Sequence, residues 1–277
     1  MKISTLLDLA VVMTLVSIHA ASPARASAPE SAKICTEDAF TVDRGATEVQ
    51  VTYQGVRAYQ SFDSYNHLVD RAYNRINAVY ASVTYGLANR LDAAVGIDWA
   101  QLVDNAVRVR YGNGIGNAGL RLKWTFAQKG PWGFAYLGGV TAPVGQKPDE
   151  SELGIAQDSW SFDQLLVATS SAGRISVTAD LGYRAAFWSD DPNTHGGVST
   201  NAAVGYQVAG WLQPIVEVNF AHDYVRIVSD PYLLATTVGA VVNANNAFRV
   251  DLGVQYGVFG RDTDRAVAAT LNLSYTL

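Results

Sequence analysis

Residues Ile76 to Trp99 read INAVYASVTYGLANRLDAAVGIDW. Val79, Ala81, Val83, Tyr85 and Leu87 alternate with small or polar residues. A short turn at Ala88-Asn89-Arg90 follows, and Leu91, Ala93, Val95, Ile97 and Trp99 then alternate in the same way. A period of two puts successive side chains on opposite faces, so each half reads as a strand with unlike faces. Such a hairpin suits a soluble sheet with one face on a core. The aromatic placement suits a lipid-facing strand pair better. Tyr85 and Trp99 stand at opposite ends of the hairpin, with an apolar band between them, as in the aromatic girdles of outer-membrane barrels. Asp92 and Asp98 fall on the other face, which then lines a wet lumen.

The rest of the chain repeats this phase. Strands are expected at Glu48–Tyr59, at the two halves of the hairpin, and at Ala118–Gln128, Phe134–Val144, Phe162–Ser170 and Ile175–Phe187. Val198–Val208, Leu212–Tyr224, Tyr232–Val242, Phe248–Phe259 and Val267–Leu277 complete about twelve, an even number as in bacterial barrels. Short turns, as at Lys129-Gly130-Pro131 and Ser171-Ala172-Gly173, alternate with mostly longer connections at Ser61–Arg75, Gln101–Asn117, Gln146–Trp160, Trp188–Gly197 and Arg261–Arg265. That asymmetry puts the short turns in the periplasm and the long loops outside. The charges Asp92, Asp98, Arg121, Lys123, Asp180, Arg184, Glu217, Arg249 and Asp251 all take the inward phase. A lipid-facing Arg or Lys at mid-membrane costs about 2–4 kcal/mol, so the exclusion has a physical cause.

The chain's 277 residues are 49% hydrophobic and 16% charged, with mean hydropathy near zero and a net charge of −5. The acidic balance gives no footprint for nucleic acid. Lys2, the apolar run Leu9–Ile18 and the small-x-small site Ala24-Arg25-Ala26 read as a signal peptide over 1–26. Residues 27–46 read as a polar arm periplasmic to the barrel, and 47–277 as the barrel. Cys35, the one cysteine, cannot form an internal disulfide and reads as a passive thiol in that arm. The expected location is the outer membrane of a Gram-negative bacterium. The fold class is all-β, a transmembrane antiparallel up-and-down barrel.

Tyr85-Gly86-Leu87-Ala88-Asn89-Arg90-Leu91-Asp92 resembles a recurrent motif of the outer-membrane barrel family named for the meta-pathway of phenol degradation. Gly114-Ile115-Gly116-Asn117 leading to Lys123, Ala142-Pro143-Val144-Gly145 and Pro214-Ile215-Val216-Glu217 resemble further family segments. Asn117 stands where an Asp is common. The resemblance implies a transporter-like barrel for small, hydrophobic or aromatic compounds.

The inward charges line a candidate pathway or fill the lumen as ion pairs; the mixture of signs fits both. Pro214 and Pro143, without ladder donors, sit at strand ends. An enzyme, such as an outer-membrane lipid or peptide hydrolase, needs a His oriented by a carboxylate. His195 near Asp190 and Asp191, and His222 beside Asp223, are the candidates; no serine motif accompanies them. A structural or adhesive barrel is the third reading. No cofactor is expected, and Asp190, Asp191 and His195 form only a weak metal set. The expected partners are outer-membrane lipids, a small solute, and the barrel-assembly machinery, met through the apolar C-terminal strand. Gating is expected from the outer loop Gln146–Trp160.

Overall fold

The computed structural model describes residues 33–105, 110–145, 155–156, 159–188, 194–225, 230–245 and 247–277. The expected signal peptide and most of the loop Gln146–Trp160 lie outside these residues. Twelve strands follow one another: β1 (Thr47–Phe62), β2 (Leu68–Ala88), β3 (Leu91–Asp104), β4 (Arg110–Lys129), β5 (Trp132–Pro143) and β6 (Trp160–Ala172), then β7 (Ile175–Phe187), β8 (Thr194–Tyr206), β9 (Leu212–Val225), β10 (Tyr232–Asn243), β11 (Phe248–Arg261) and β12 (Thr263–Thr276). Each strand pairs antiparallel with its chain neighbours, and β1 closes the ring on β12 from Glu48 opposite Thr276 to Phe62 opposite Thr263. Lipid offers backbone groups no hydrogen bonds, so a closed ring without edges is the strand arrangement that can cross a bilayer.

The outward face carries the apolar alternation of the sequence. Tyr85 is 47% exposed and Trp99 39%, with Val83, Val95 and Ile97 also exposed between them. At the short-turn end, Trp124 meets Phe126 at 5.9 Å, Phe126 meets Phe134 at 6.5 Å and Phe134 meets Trp132 at 6.1 Å. At the other end, Trp188 meets Trp160 at 5.9 Å and Phe187 at 5.1 Å. Two aromatic girdles with an apolar band between them are the surface of a barrel seated in an outer membrane. The short turns use positive φ at Arg90 (68°), Gly130 (58°) and Gly173 (60°).

Several strands outrun their sequence reading. β2 has 21 residues and β4 has 20, about twice the 9–11 that cross a bilayer. β1 and β2 accordingly take in all of the expected loop Ser61–Arg75 but 63–67, and β3 and β4 take in Gln101–Asp104 and Arg110–Asn117 of the expected loop Gln101–Asn117. Beyond the membrane a strand faces water on both sides, so its residues need no apolar alternation, yet Asp70, Asn74 and Asn113 still pair in the ladder. β8 likewise starts at Thr194, and β11 joins β12 through Asp262 (φ 48°) instead of a loop reaching Arg265. In the remaining loop at the outer mouth, Asp63 accepts backbone N–H bonds from Tyr65 and His67, both at 2.8 Å. The His67 backbone bond is the main cause that holds its carboxyl below the usual range. That contribution is present above the ordinary carboxylate range and is lost as pH falls through the lowered value.

The β3–β4 pairing slips between Ile97 and Trp99, leaving Gly116 and Asn117 as a bulge on β4. Asp98 fills it, accepting from the Asn117 backbone N–H at 2.6 Å and its Nδ2 at 3.1 Å. A Cβ on Gly116 would strike that carboxylate. One on Gly145 would strike the Ile115 carbonyl oxygen, and the Gly145 N–H donates to the Gly116 carbonyl at 2.8 Å. Gly145→Ala is therefore expected to cost about 1–3 kcal/mol, as overpacking does. A lowered urea midpoint for unfolding from lipid vesicles checks this, and an unchanged midpoint contradicts it.

Candidate functional site: a lumen holding the N-terminal arm

All nine charges proposed from sequence lie on the inward face. The arm corrects the expectation most: residues 33–46 do not lie periplasmic to the barrel but inside it. At the rim the Gly45 N–H donates to the Gly86 carbonyl at 2.8 Å, and the Gly86 N–H to that of Ala46 at 3.0 Å. From there the chain crosses the lumen, and inward groups satisfy its backbone. Asp92 accepts from the Val42 N–H at 3.0 Å, Thr169 Oγ1 from Ala39 at 3.0 Å and Asp180 from Glu37 at 3.1 Å. Thr125 donates to the Ala39 carbonyl at 2.6 Å. Glu217, fully buried, accepts from the backbone N–H groups of Ile34 and of Cys35, the latter at 2.9 Å.

Side chains tie the arm further. Glu37 pairs with Arg121 at 3.2 Å and Lys123 at 3.6 Å, and Lys123 reaches Asp38 at 3.5 Å and donates to the Phe40 carbonyl at 3.3 Å. Two pits of small inward residues take apolar side chains. Ala39 is buried against Ala135 and Val167, beside Phe40 over Gly133. Ile34 packs on Ala203, Ile215 and Val241, where a Cβ on Gly239 or Gly253 would displace it. The arm lies inside because the wall answers both its charges and its apolar residues; the sequence reading paired the wall only with itself. Cys35 is correspondingly less passive in its position than expected, with Sγ 3.8 Å from Thr237 Oγ1.

The nine charges divide by partner. Asp92, Arg121, Lys123, Asp180 and Glu217 hold the arm. Asp98 is held in its bulge, Arg184 pairs with Asp223 at 2.7 Å, and Arg249 Nε with Asp251 at 2.6 Å. Asp251 also accepts from Asn272 at 2.8 Å. A polar ladder runs round the wall between them: Asn201 donates to Asp180 at 2.7 Å, Asn219 to Asn201 at 3.0 Å, and Thr237 and Gln255 to Asn219 at 2.8 and 3.0 Å. Sequence reasoning passed over Glu37 and this ladder. Beside the arm at the periplasmic end lies a cavity of about 480 Å³, bounded by Glu37 and Asp43 of the arm and by Glu48, Asp92, Lys123 and Arg249 of the wall.

Among the described residues, the candidate pair His222 and Asp223 does not assemble. His222 faces outward, its Nε2 3.9 Å from the Asp230 carboxylate and its ring 5.0 Å from Tyr224 and 6.4 Å from Tyr232, while Asp223 faces inward to Arg184. Neighbours on a strand point to opposite sides of the wall, so the two make no dyad. Asp190 and Asp191 and the side chain of His195 lie outside the described residues. Among the described residues no cluster of His, Cys, Asp and Glu could hold a metal ion. Pro214 opens no gap between β9 and β10, where it pairs with Ala240 in an unbroken register.

A family model described as "Putative MetA-pathway of phenol degradation" matches residues 73–275. No curated protein matches the chain. Among solved structures, an outer membrane channel from Pseudomonas putida F1 is similar at TM-score 0.78 and 13% identity, over 88% of this chain and 100% of that one. The β domain of the Bordetella autotransporter BrkA is similar at TM-score 0.52 and 9% identity, over 83% and 99% of the chains. The KdgM porin gives TM-score 0.51 and 10% identity, over 82% and 98%. These likenesses are likenesses of fold.

Proposed function

The chain belongs to this MetA-pathway phenol-degradation family, and from that premise we propose that it is an outer-membrane channel for passive passage of small solutes. The observation that carries the reading is a polar, mixed-charge lumen that leaves a cavity of about 480 Å³ beside the arm. That volume lies within the roughly 300–1,000 Å³ of small-molecule sites. Lysine, arginine and carboxylates on one lining suit solutes with a polar handle. The family's description directs the choice to small aromatics bearing one, with hydroxylated rings the first to test. Asp92, Arg121, Lys123, Asp180, Glu217, Arg249 and Asp251 would line the path, with Asp98 and Arg184 farther out supporting the wall. Among the described residues of the wall, His222 packs on Tyr224 and Tyr232 and Asp223 pairs with Arg184, which supports a channel over a hydrolase. The C-terminal strand β12 would be the contact with the assembly machinery.

Refolded protein in planar bilayers should show discrete conductance steps, and vesicles containing it should admit phenol-sized sulfonated aromatics faster than protein-free vesicles do. Vesicles with neither conductance nor solute entry would overturn the proposal.

A further inference from the structure

Besides the lumen charges, the barrel carries arginines on its outer surface. On four adjacent strands the outward apolar run gives way to polar residues toward the outer mouth. On β12 it passes Leu273, Leu271, Ala269 and Val267 and stops at Arg265. On β1 it passes Val49, Val51 and Tyr53 and stops at Arg57. On β2 it ends at Val79, followed by Asn77 and Arg75, and on β3 at Trp99, followed by Gln101 and then Val103 opposite Arg75. The register joins these ends: Arg57 stands opposite Val267 on one side and Arg75 on the other, and Arg265 stands opposite Gln60. These residues lie toward the end of the barrel away from the C-terminus and the short turns.

Like charges directly opposite each other on a sheet are destabilising. Arg57 and Arg75 nevertheless face each other, and neither they nor Arg265 form an ion pair among the described residues. Arg57 donates to the carbonyls of Val56 at 2.7 Å and Ile76 at 3.2 Å, and to Asn77 Oδ1 at 3.1 Å. Arg265 lies over the Tyr256 ring at 4.7 Å and donates to Gln60 at 3.1 Å. The nearby carboxylate Asp70 takes a hydrogen bond from Gln60 at 3.4 Å. The Nε atoms of Arg75 and Arg265 are buried and have no hydrogen-bond partner among the described residues. A buried donor without a partner costs about 1–3 kcal/mol.

We propose that Arg57, Arg75 and Arg265 form a binding surface for the phosphate groups of the glycolipid that makes up the outer leaflet. A phosphate placed between the opposed guanidiniums removes their repulsion and takes bidentate hydrogen bonds, the geometry arginine supplies. The lipid's acyl chains then lie on the apolar runs directly below, from Val267 to Leu273 and from Tyr53 to Val49. A soluble anion gains only the first of these contacts.

Mature protein in nanodiscs, titrated with diphosphorylated lipid A, should bind it at least about tenfold more tightly than the same lipid stripped of phosphate, as expected for charge-assisted pairs. Millimolar inorganic phosphate should leave the bound lipid in place. In Arg57→Gln/Arg75→Gln/Arg265→Gln the preference should vanish, while conductance through the lumen stays as in wild type. Equal binding of both lipids by the wild type overturns the proposal without recourse to any variant. So does displacement by inorganic phosphate, or a preference that survives in the triple variant.

Discussion

Removing residues 28–42 should raise the single-channel conductance severalfold, because the arm fills much of a lumen whose wall the strands form without it. β1 begins at Thr47 and closes on β12 through the Glu48 pairing with Thr276, so the deletion leaves the ring intact. Its wall becomes open to ions where Glu37, Ala39 and Ile34 had lain. A companion experiment fixes the arm. Cys35 Sγ lies 3.8 Å from Thr237 Oγ1, so Thr237→Cys puts two sulfurs within a side-chain rotation of a bond. The oxidised variant should show no large openings, and reduction should restore any that the wild type displays. A deletion variant with wild-type conductance would mean that the arm does not limit the path. Identical traces for oxidised and reduced Thr237→Cys, beside a wild type that gates, would place the gate elsewhere.

Why the wall was readable and the arm was not follows from the physics of each. Lipid imposes a penalty on every outward polar group, so Leu91, Ala93, Val95, Ile97 and Trp99 alternate strictly, and Asp92 and Asp98 follow as inward. The arm feels no such rule. It is held mainly through backbone N–H groups, which every residue except proline possesses, and through Glu37, an ordinary carboxylate in sequence. A signal for it did exist on the wall. Ala135, Val167, Ala203, Ile215 and Val241 are buried on the inward face, and a purely wet lumen has no use for apolar pits. Gly239 and Gly253 facing each other on β10 and β11 mark the same pit. The projecting ends of β2 and β4 were illegible for the opposite reason: water on both faces removes the pattern that sequence reading relies on.

Glu217→Gln and Glu37→Gln should separate anchoring from charge. Glu217 takes two backbone N–H bonds from the arm, and hydrogen bonds to a charged group contribute about 1.5–3 kcal/mol each. A neutral amide keeps the shape but weakens both, so the bound fraction of the arm's inner end should fall roughly ten- to hundredfold relative to its released state. Cys35 reports this directly: a charged, membrane-impermeant maleimide should modify it correspondingly faster in Glu217→Gln. Glu37→Gln acts differently. It strips the counter-charge from Arg121 and Lys123, at 3.2 and 3.6 Å. Arg121 is then left without its ion pair and Lys123 with Asp38 at 3.5 Å, so the lining shifts toward attracting anions, and each 1.4 kcal/mol of that attraction is a tenfold bias. The reversal potential in a KCl gradient should therefore move toward chloride selectivity, and Glu37→Gln/Arg121→Gln should move it part of the way back. A reversal potential that ignores Glu37 while maleimide labelling still responds to Glu217 would keep the arm as a plug but route the ions away from Arg121 and Lys123.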